Sequence, residues 1–238
     1  MNIYQLGNTR SANCADHILQ TPDSFVRAPL PGMRNATAII HVAAARGAKF
    51  TQYTAEFESD GYLPPSPLQR FVYVLTGEVN AGADVLHSGG FFYVPAGTPV
   101  ALETKAKATV AVIEKPYQPL AGAGIPKLFS GKEEAQAAEA LGGDPALEVR
   151  HLLPDDVSFD FAVNTMRYQP GAALPMVEMH VMEHGLLMLE GGGIYRLGER
   201  WYPVTAGDFI WMAPYCPQWF GAIGKTPAKY LIYKDWNR

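Results

Sequence analysis

The chain has 238 residues, of which 48% are hydrophobic and 18% are charged, with a formal net charge of −4. This length accommodates one large domain or two small ones, and the apolar share is enough to build a sizeable core. The acidic balance leaves no basic surface that could neutralise phosphates, so a nucleic-acid partner is not expected.

No apolar run is long enough to span a bilayer or to resemble a signal sequence, so we expect no membrane partner. The two cysteines, Cys14 and Cys216, are far apart and lie outside any C-x-x-C motif. They are expected to be reduced thiols rather than a disulfide. Together these features predict a cytoplasmic protein.

Strands dominate the predicted secondary structure. The chain contains 23 glycines and 19 prolines beside many β-branched and aromatic residues, which favours short strands and turns. Residues 1 to about 35 are predicted to be irregular. Strands are predicted at 37–42, 50–57, 71–75, 89–95, 109–114, 159–168, 186–189, 194–197, 201–204, 209–212 and 229–233.

The stretch from about residue 119 to residue 150 breaks this pattern. Residues 132–141 are rich in glutamate and alanine, a composition that favours an α-helix, and Gly142 and Gly143 end it. The sequence therefore predicts a connector, residues 121–150, with one short helix. It would join an N-terminal domain, residues 1–120, to a C-terminal domain, residues 151–238.

An internal repeat relates the two halves. Residues 71–77 align with 185–191, and residues 89–99 align with 207–217. Repetition on this scale indicates duplicated β-rich domains, each a small barrel or jelly roll.

Metal-competent side chains are concentrated in the second half, at Glu178, His180, Glu183 and His184. In the repeat alignment, Pro64, Ser66 and Arg70 stand opposite Glu178, His180 and His184, and Val100 stands opposite Gln218. The first half therefore lacks these donors. If a metal binds, we expect only the C-terminal domain to hold it.

Two structures could present these donors. The pattern His180-x-x-Glu183-His184 fits some zinc proteases, but that chemistry needs a helix, and Pro175 and Gly185 leave only nine residues between them. On a strand, Glu178 and His180 point to one face. With Gln218 from another hairpin they form a mixed oxygen and nitrogen shell, which suits Mn²⁺ or Fe²⁺ better than structural zinc.

Four further residues are candidates for roles near these donors. Glu183 is either a proton shuttle or a residue on the rim of the site, and the rim is favoured. Tyr195 either donates to a substrate or packs in the core. Trp211 and Trp219 are expected to form apolar walls.

Two motifs carry a resemblance to a known family. The spacing Gly171-x6-Glu178-x-His180-x3-His184-x6-Gly191 resembles the first cupin motif, and residues 207–218 resemble the second. The segments at 190–197, 201–204, 210–214, 217–219 and 230–238 narrow the resemblance to the (S)-ureidoglycine aminohydrolase family. This resemblance implies an all-β bicupin, with two tandem β-barrel (jelly-roll) cupin domains and one degenerate site.

The resemblance also implies an activity, the hydrolytic release of ammonia from (S)-ureidoglycine in purine breakdown. It implies Mn²⁺ as cofactor, a small ureide as substrate partner, and a homo-oligomer. The implied metal ligands are Glu178, His180, His184 and Gln218. The implied substrate-binding residues are Glu178, Tyr195, Gln218, Tyr230 and Lys234, and Glu178 and Lys234 are the implied catalytic residues. Another metal-dependent cupin enzyme, such as a dioxygenase, and a non-catalytic binding cupin are the alternatives.

Overall fold

The structure is a computed structural model that describes residues 9–235. Residues 1–8 of the segment predicted to be irregular and the last three residues of the family motif lie outside this range. Within it the secondary structure consists of β-strands and single-turn 3-10 helices, with no α-helix, which confirms the all-β prediction. A search of the same residues for helices long and apolar enough to cross a membrane finds none.

Twenty strands are formed within the described residues. In chain order they are β1 (Ala12–Asn13), β2 (His17–Gln20), β3 (Arg34–Val42), β4 (Thr51–Leu63), β5 (Gln69–Thr76), β6 (Glu78–Ala81), β7 (Asp84–His87), β8 (Gly90–Val94), β9 (Leu102–Glu103), β10 (Ala108–Lys115), β11 (Phe129–Lys132), β12 (Glu139–Ala140), β13 (Leu147–His151), β14 (Phe161–Tyr168), β15 (His184–Glu190), β16 (Gly192–Leu197), β17 (Arg200–Thr205), β18 (Phe209–Met212), β19 (Gln218–Ala222) and β20 (Ala228–Asp235). The 3-10 turns are Pro22–Ser24, Ala44–Arg46, Glu133–Ala135 and Leu141–Gly143.

The chain divides into two compact units. Unit 1 contains residues 9–25, 137–151 and 161–235, and unit 2 contains residues 26–136 and 152–160. Unit 1 has an eight-stranded antiparallel sheet in the order β1-β2-β18-β15-β20-β14-β13-β12, and a three-stranded sheet in the order β17-β16-β19.

The register of unit 1 places polar residues at one end of its central strands. His184, the first residue of β15, is paired with Lys234 on β20 and with Met212 on β18. Along β20, Tyr230 and Ile232 belong to the unit 1 core. Because side chains alternate along a strand, Lys234 continues on the same face as these two.

Unit 2 is built from a nine-stranded antiparallel sheet. Its strands follow the order β11-β8-β5-β10-β4-β9-β6-β7, with β3 paired to β4. Valines on β5 and β10 and aromatic residues on β4 fill its core. Arg70 on β5 is paired with Glu114 on β10.

The predicted connector helix over residues 132–141 does not form. Lys132 ends β11, a single 3-10 turn covers Glu133–Ala135, and Glu139–Ala140 is strand β12. The Glu133 side chain is buried and accepts a hydrogen bond from the Tyr73 hydroxyl, and the Glu133 N–H donates to the Gly89 carbonyl. These long-range contacts outweigh helix propensity, which amounts to only tenths of a kcal/mol per residue.

Each compact unit is built from separate stretches of the chain. The sequence instead predicts contiguous domains, with boundaries after residues 120 and 150. Strand β2, near the N-terminus, pairs with β18 and so belongs to unit 1. Asp160 belongs to unit 2, where it lies 2.7 Å from the buried Lys115 ammonium and accepts a 2.6 Å hydrogen bond from Gln69. The placement of β2 in unit 1 and of Asp160 in unit 2 depends on contacts between residues far apart in the sequence.

Candidate functional site

Glu178 is held beside Gln218 by a pair of backbone hydrogen bonds. The Glu178 N–H donates to the Gln218 carbonyl at 2.8 Å, and the Gln218 N–H donates to the Glu178 carbonyl at 2.9 Å. This isolated bridge joins the irregular segment before β15 to the first residue of β19. Two predicted donors from different parts of the chain are thereby placed side by side.

The chain beyond Glu178 alternates between the inside and the outside of unit 1. Glu178, His180 and Met182 line a cavity, whereas Met179 and Val181 are exposed. This is the period of two that the strand interpretation predicts. The helix that the H-x-x-E-H alternative requires is not formed at residues 178–184.

The imidazole rings of His180 and His184 lie close to each other at the C-terminal end of this segment. His180 Nε2 lies 3.1 Å from Glu178 Oε2, and the His180 and His184 ring centroids are 5.4 Å apart. His184 is 2% exposed, and its Nδ1 has no hydrogen-bond partner among the described residues. Burial, with smaller effects of His180 and Lys234, lowers the pKa of His184 to about 3. The imidazole is therefore neutral at pH 7.

The cavity has a volume of about 420 Å³. That is within the range of small-molecule sites in proteins. It contains all the residues for which a metal, substrate or catalytic role was predicted. Its lining residues are Glu139, Ala140, Leu141, Gly142, Val149, His151, Asn164, Met166, Leu174, Glu178, His180, Met182, His184, Tyr195, Gln218, Tyr230, Ile232 and Lys234.

Lys234 contributes the one ammonium group among these lining residues. In the amide orientation that satisfies both polar groups of Asn164, its oxygen accepts from Lys234 Nζ at 2.9 Å and its nitrogen donates to His151 Nδ1 at 3.2 Å. Asn164 is 1% exposed, so it holds the ammonium from a fixed position. An ammonium held in this way is a binding point for an anionic group.

Two buried tyrosines extend the polar wall. The Tyr195 hydroxyl donates to Gln218 Oε1 at 3.4 Å, and the Tyr230 and Tyr168 hydroxyls are 2.8 Å apart. Burial raises the pKa of Tyr195 and of Tyr230 well above the ordinary value, so both remain neutral hydroxyls. Tyr195 therefore contacts a predicted metal ligand in addition to packing in the core.

Asn164 and His151 also line the cavity, and neither was predicted as a site residue. The signal for Asn164 was present, since it is a polar residue inside the apolar strand 161–168 and has the same parity as the core residues Met166 and Tyr168. His151 ends β13 and is paired with Asn164. Its role depends on that pairing and could not be predicted locally.

The expectation that Glu183 lies on the rim of the site is wrong. Glu183 is 1% exposed and is absent from the cavity lining. Its Oε2 accepts a 3.1 Å hydrogen bond from Trp211 Nε1, and its carbonyl accepts from the Asp235 N–H. Glu183 therefore supports the segment that ends at His184.

The two tryptophans do not form walls of the cavity as predicted. Trp211 is buried against Glu183, and Trp219 packs against the core while its Nε1 donates to the Leu174 carbonyl at 2.7 Å. Neither side chain is among the residues that line the cavity. The indole N–H groups explain both positions, because each finds an acceptor next to apolar surroundings.

The donor set fits a divalent cation. A buried nitrogen without a partner is costly, and a cation at His184 Nδ1 would satisfy it. The side chains of Glu178 and His180 are each 31% exposed, so they can be reached from the cavity. A carboxylate, two imidazoles and an amide oxygen without a thiolate suit a hard or intermediate metal ion.

Comparison with known proteins identifies the family. A cupin domain model matches residues 164–233. The (S)-ureidoglycine aminohydrolase of Arabidopsis thaliana is 41% identical over 239 residues, which cover 98% of this chain and 80% of that protein. The chain belongs to the (S)-ureidoglycine aminohydrolase family. Members of this family are hydrolases that act on C–N bonds.

Solved structures agree with this membership. The crystal structure of protein Ylba from E. coli matches with a TM-score of 0.85 at 27% identity and covers all of this chain and 98% of that one. Bacillus subtilis oxalate decarboxylase, a protein with Mn(II) centres, matches with a TM-score of 0.72 at 12% identity over 96% of this chain and 80% of that one. At that identity the second match shows the cupin fold alone.

Proposed function

We propose that this member of the (S)-ureidoglycine aminohydrolase family converts (S)-ureidoglycine and water into (S)-ureidoglycolate and ammonia, a step of purine and ureide breakdown. The observation that carries the proposal is one cavity of unit 1. It is lined by Glu178, His180, His184, Gln218 and Lys234 together. The family relationship supplies the substrate, and the cavity supplies groups that match it.

The proposed cofactor is Mn²⁺, held by Glu178, His180, His184 and Gln218. The ion would supply Lewis acidity and a template that orients the substrate. The protein contributes the fixed positions of the donors. The backbone bridge between Glu178 and Gln218 and the buried ring of His184 set these positions.

Lys234 is proposed to bind the substrate carboxylate. Its ammonium lines the cavity and lies 2.9 Å from the neutral amide oxygen of Asn164. A carboxylate bound in the cavity would form a charge-assisted hydrogen bond with this ammonium. Tyr195 and Tyr230, both neutral, offer hydroxyl groups on the same wall. Contacts from several directions to one carbon would distinguish its two enantiomers.

The proposed reaction consumes one water molecule and releases one ammonia molecule, and it needs no other reactant. The bond from the chiral carbon to the amine breaks, the amine takes up a proton, and the ureido nitrogen lone pair forms a C=N bond. Water then adds to that carbon and releases a proton. Glu178 is the proposed acceptor of this proton, because its carboxylate lines the cavity in which the substrate would bind.

An ammonia assay tests the proposal directly. Purified protein would be freed of metal with a chelator, reloaded with Mn²⁺, and mixed with freshly prepared (S)-ureidoglycine. We expect stoichiometric ammonia and (S)-ureidoglycolate with Mn²⁺ and a rate near the uncatalysed rate without it.

Three outcomes would contradict the proposal. Absence of ammonia from the Mn²⁺-loaded protein would exclude the hydrolytic activity. Oxygen consumption coupled to substrate loss would instead identify a dioxygenase, the alternative that a cupin site with open metal positions allows. Binding of a ureide without turnover would identify a non-catalytic binding protein.

Unit 2 is proposed to be a degenerate cupin domain, which would make the chain a bicupin, and the protein is proposed to be a homo-oligomer. Support for the first proposal comes from matched registers, since Arg70 pairs with Glu114 in unit 2 where His184 pairs with Lys234 in unit 1. Sedimentation of the purified chain tests the oligomer. A single species with the mass of one chain would contradict it.

A further inference from the structure

A second group of donor atoms lies in unit 1 outside the cavity lining. Oxygen of Asp16, a ring nitrogen of His17 and the sulfur of Cys216 all lie within 4.8 Å of one another. His17 is 2% exposed and Cys216 is 4% exposed, while the Asp16 side chain is 47% exposed. The group is therefore buried on two sides and open to solvent at its carboxylate.

The distances within the group are near those of a tetrahedral zinc site without matching them. His17 Nδ1 lies 2.8 Å from Asp16 Oδ1, and Cys216 Sγ lies 3.9 Å from the other carboxylate oxygen, Asp16 Oδ2. Usual zinc bond lengths at tetrahedral angles require about 3.4 Å between nitrogen and oxygen and about 3.6 Å between sulfur and oxygen. An ion bound here would therefore replace both of these hydrogen bonds with bonds to the metal.

The imidazole of His17 is oriented as in a metal ligand. Its Nε2 lies 2.8 Å from the Tyr202 hydroxyl, which leaves Nδ1 as the nitrogen that faces Asp16. Ligating histidines in proteins commonly use their second nitrogen in such a hydrogen bond, which fixes the tautomer and the ring plane. Tyr202 provides this bond from β17.

The backbone around the three donors is fixed by pairing. His17 is paired with Met212, the Ala213 N–H donates to the Asp16 carbonyl at 2.9 Å, and the Cys216 N–H donates to the Ala213 carbonyl at 3.1 Å. Gly198, which belongs to a third segment, lies against the Asp16 carboxylate. A Cβ at that residue, which has a φ of +59°, would lie 2.9 Å from Asp16 Oδ2.

We propose that Asp16, His17 and Cys216 form a second divalent-cation site, selective for zinc and separate from the cavity of the proposed reaction. The thiolate and carboxylate would together balance the two charges of the ion. A thiolate also favours zinc over manganese, whereas the donors of the cavity contain no sulfur. The site would fix the turn at residues 213–217, which leads directly into Gln218 on β19.

Cobalt substitution tests the site independently of turnover. The full-length protein, freed of metal, would be titrated with Co²⁺ while its near-ultraviolet spectrum is recorded. We expect a thiolate-to-cobalt charge-transfer band that saturates at about one ion per chain and disappears on addition of Zn²⁺. The band should persist in His180→Ala, because that substitution changes only the cavity.

The second cysteine provides a matched control. Cys216→Ser should abolish the band, whereas Cys14→Ser should retain it, since Cys14 is outside the group and accepts from the Arg200 guanidinium. Asp16→Asn, at the solvent-open donor, should weaken Co²⁺ binding at least tenfold even if Cys216→Ser folds poorly. Absence of the band in the unsubstituted protein, or its loss in Cys14→Ser but not in Cys216→Ser, would overturn the proposal. None of these outcomes depends on ureidoglycine hydrolysis.

Discussion

The two units place different polar groups at matching positions of their sheets. In unit 2, Arg70 Nε donates to Glu114 Oε1 at 2.7 Å, and the Tyr53 hydroxyl donates to the same oxygen at 3.2 Å. Arg70 also donates to the Pro64 carbonyl. The charges of this cluster are thus satisfied by one another, and the cluster has no need of a ligand.

Unit 1 has His184, Lys234 and Asn164 at the matching register positions. These side chains cannot neutralise each other, because one is cationic and the other two are neutral. The nitrogen His184 Nδ1 has no partner among the described residues. The same strand framework therefore carries an internal ion pair in unit 2 and a buried imidazole nitrogen without a partner in unit 1, where the metal ion is proposed to bind.

The largest expected effect is the loss of the cavity ligands. His184→Ala should abolish Mn²⁺ binding in the cavity and reduce ammonia release to the uncatalysed rate. Changes in the residues around a metal ligand already cost about 10- to 100-fold in affinity or activity, so loss of the ligand itself should cost more. Metal analysis and the ammonia assay measure both effects.

His41 in unit 2 provides the control for that substitution. It is a second buried histidine, 6% exposed, whose Nε2 lies 2.8 Å from Thr54 Oγ1. His41→Gln should leave metal content and ammonia release per folded chain unchanged. Equal loss of metal in the two variants would show that burial, and not ligation, explains the effect.

Breaking the ion pair of unit 2 should mainly affect stability. Arg70→Met leaves the carboxylate of Glu114 without its cation, and removal of one partner of a buried pair costs about 3–5 kcal/mol. Chemical denaturation would measure this loss, and metal content should not change. The double variant Arg70→Met/Glu114→Leu should recover most of the stability. If it is no more stable than the single variant, the internal compensation inferred for unit 2 is wrong.

Substitution of Lys234 tests the proposed substrate-binding site of unit 1. Lys234→Met removes the ammonium that is proposed to bind the substrate carboxylate, and a hydrogen bond to a charged group contributes about 1.5–3 kcal/mol. We expect kcat/KM to fall about 10- to 100-fold while Mn²⁺ content stays constant. Lys234→Arg, which keeps the charge, should recover part of the loss. An unchanged kcat/KM in Lys234→Met would remove Lys234 from the proposed site.

The features that could be predicted from the sequence are those with a local period or an internal copy. Period-two alternation correctly put Glu178 and His180 on one face, and the repeat alignment correctly matched Arg70 with His184. The same alignment pointed to Gln218, which lines the cavity. These inferences required only short-range geometry. The metal and substrate roles of the residues stay predictions.

The features that could not be predicted depend on partners distant in sequence. The helix predicted at residues 132–141 fails because Glu133 bonds Tyr73, 60 residues earlier. The burial of Glu183 depends on Trp211, and the group at Asp16 and Cys216 depends on pairing between β2 and β18. Local propensity contains no information on such pairings, and it is weak enough for them to override it.

The smallest expected effect is a difference in pH dependence. Burial lowers the pKa of His41 from 6.5 to about 3, so the folded protein keeps this imidazole neutral. The unfolded chain binds the proton below pH 6.5, and stability is therefore lost as the pH falls from 6.5 towards 3. At pH 5.5 the loss from this residue is about 1.4 kcal/mol.

His41→Gln should flatten that dependence, because the amide does not titrate. Urea denaturation at pH 7.5 and pH 5.5 would measure the difference, with the unsubstituted chain losing about 1.4 kcal/mol more than the variant on acidification. Added Mn²⁺ should leave this difference unchanged, since the hydrogen bond of His41 to Thr54 lies within unit 2. The contribution of the buried His184 to the pH dependence of stability should change when Mn²⁺ is added, because the cation would compete with the proton for the imidazole ring. If Mn²⁺ changed the pH dependence of stability equally for both histidines, the proposed difference between unit 1, which binds a metal ion, and unit 2, which does not, would be wrong.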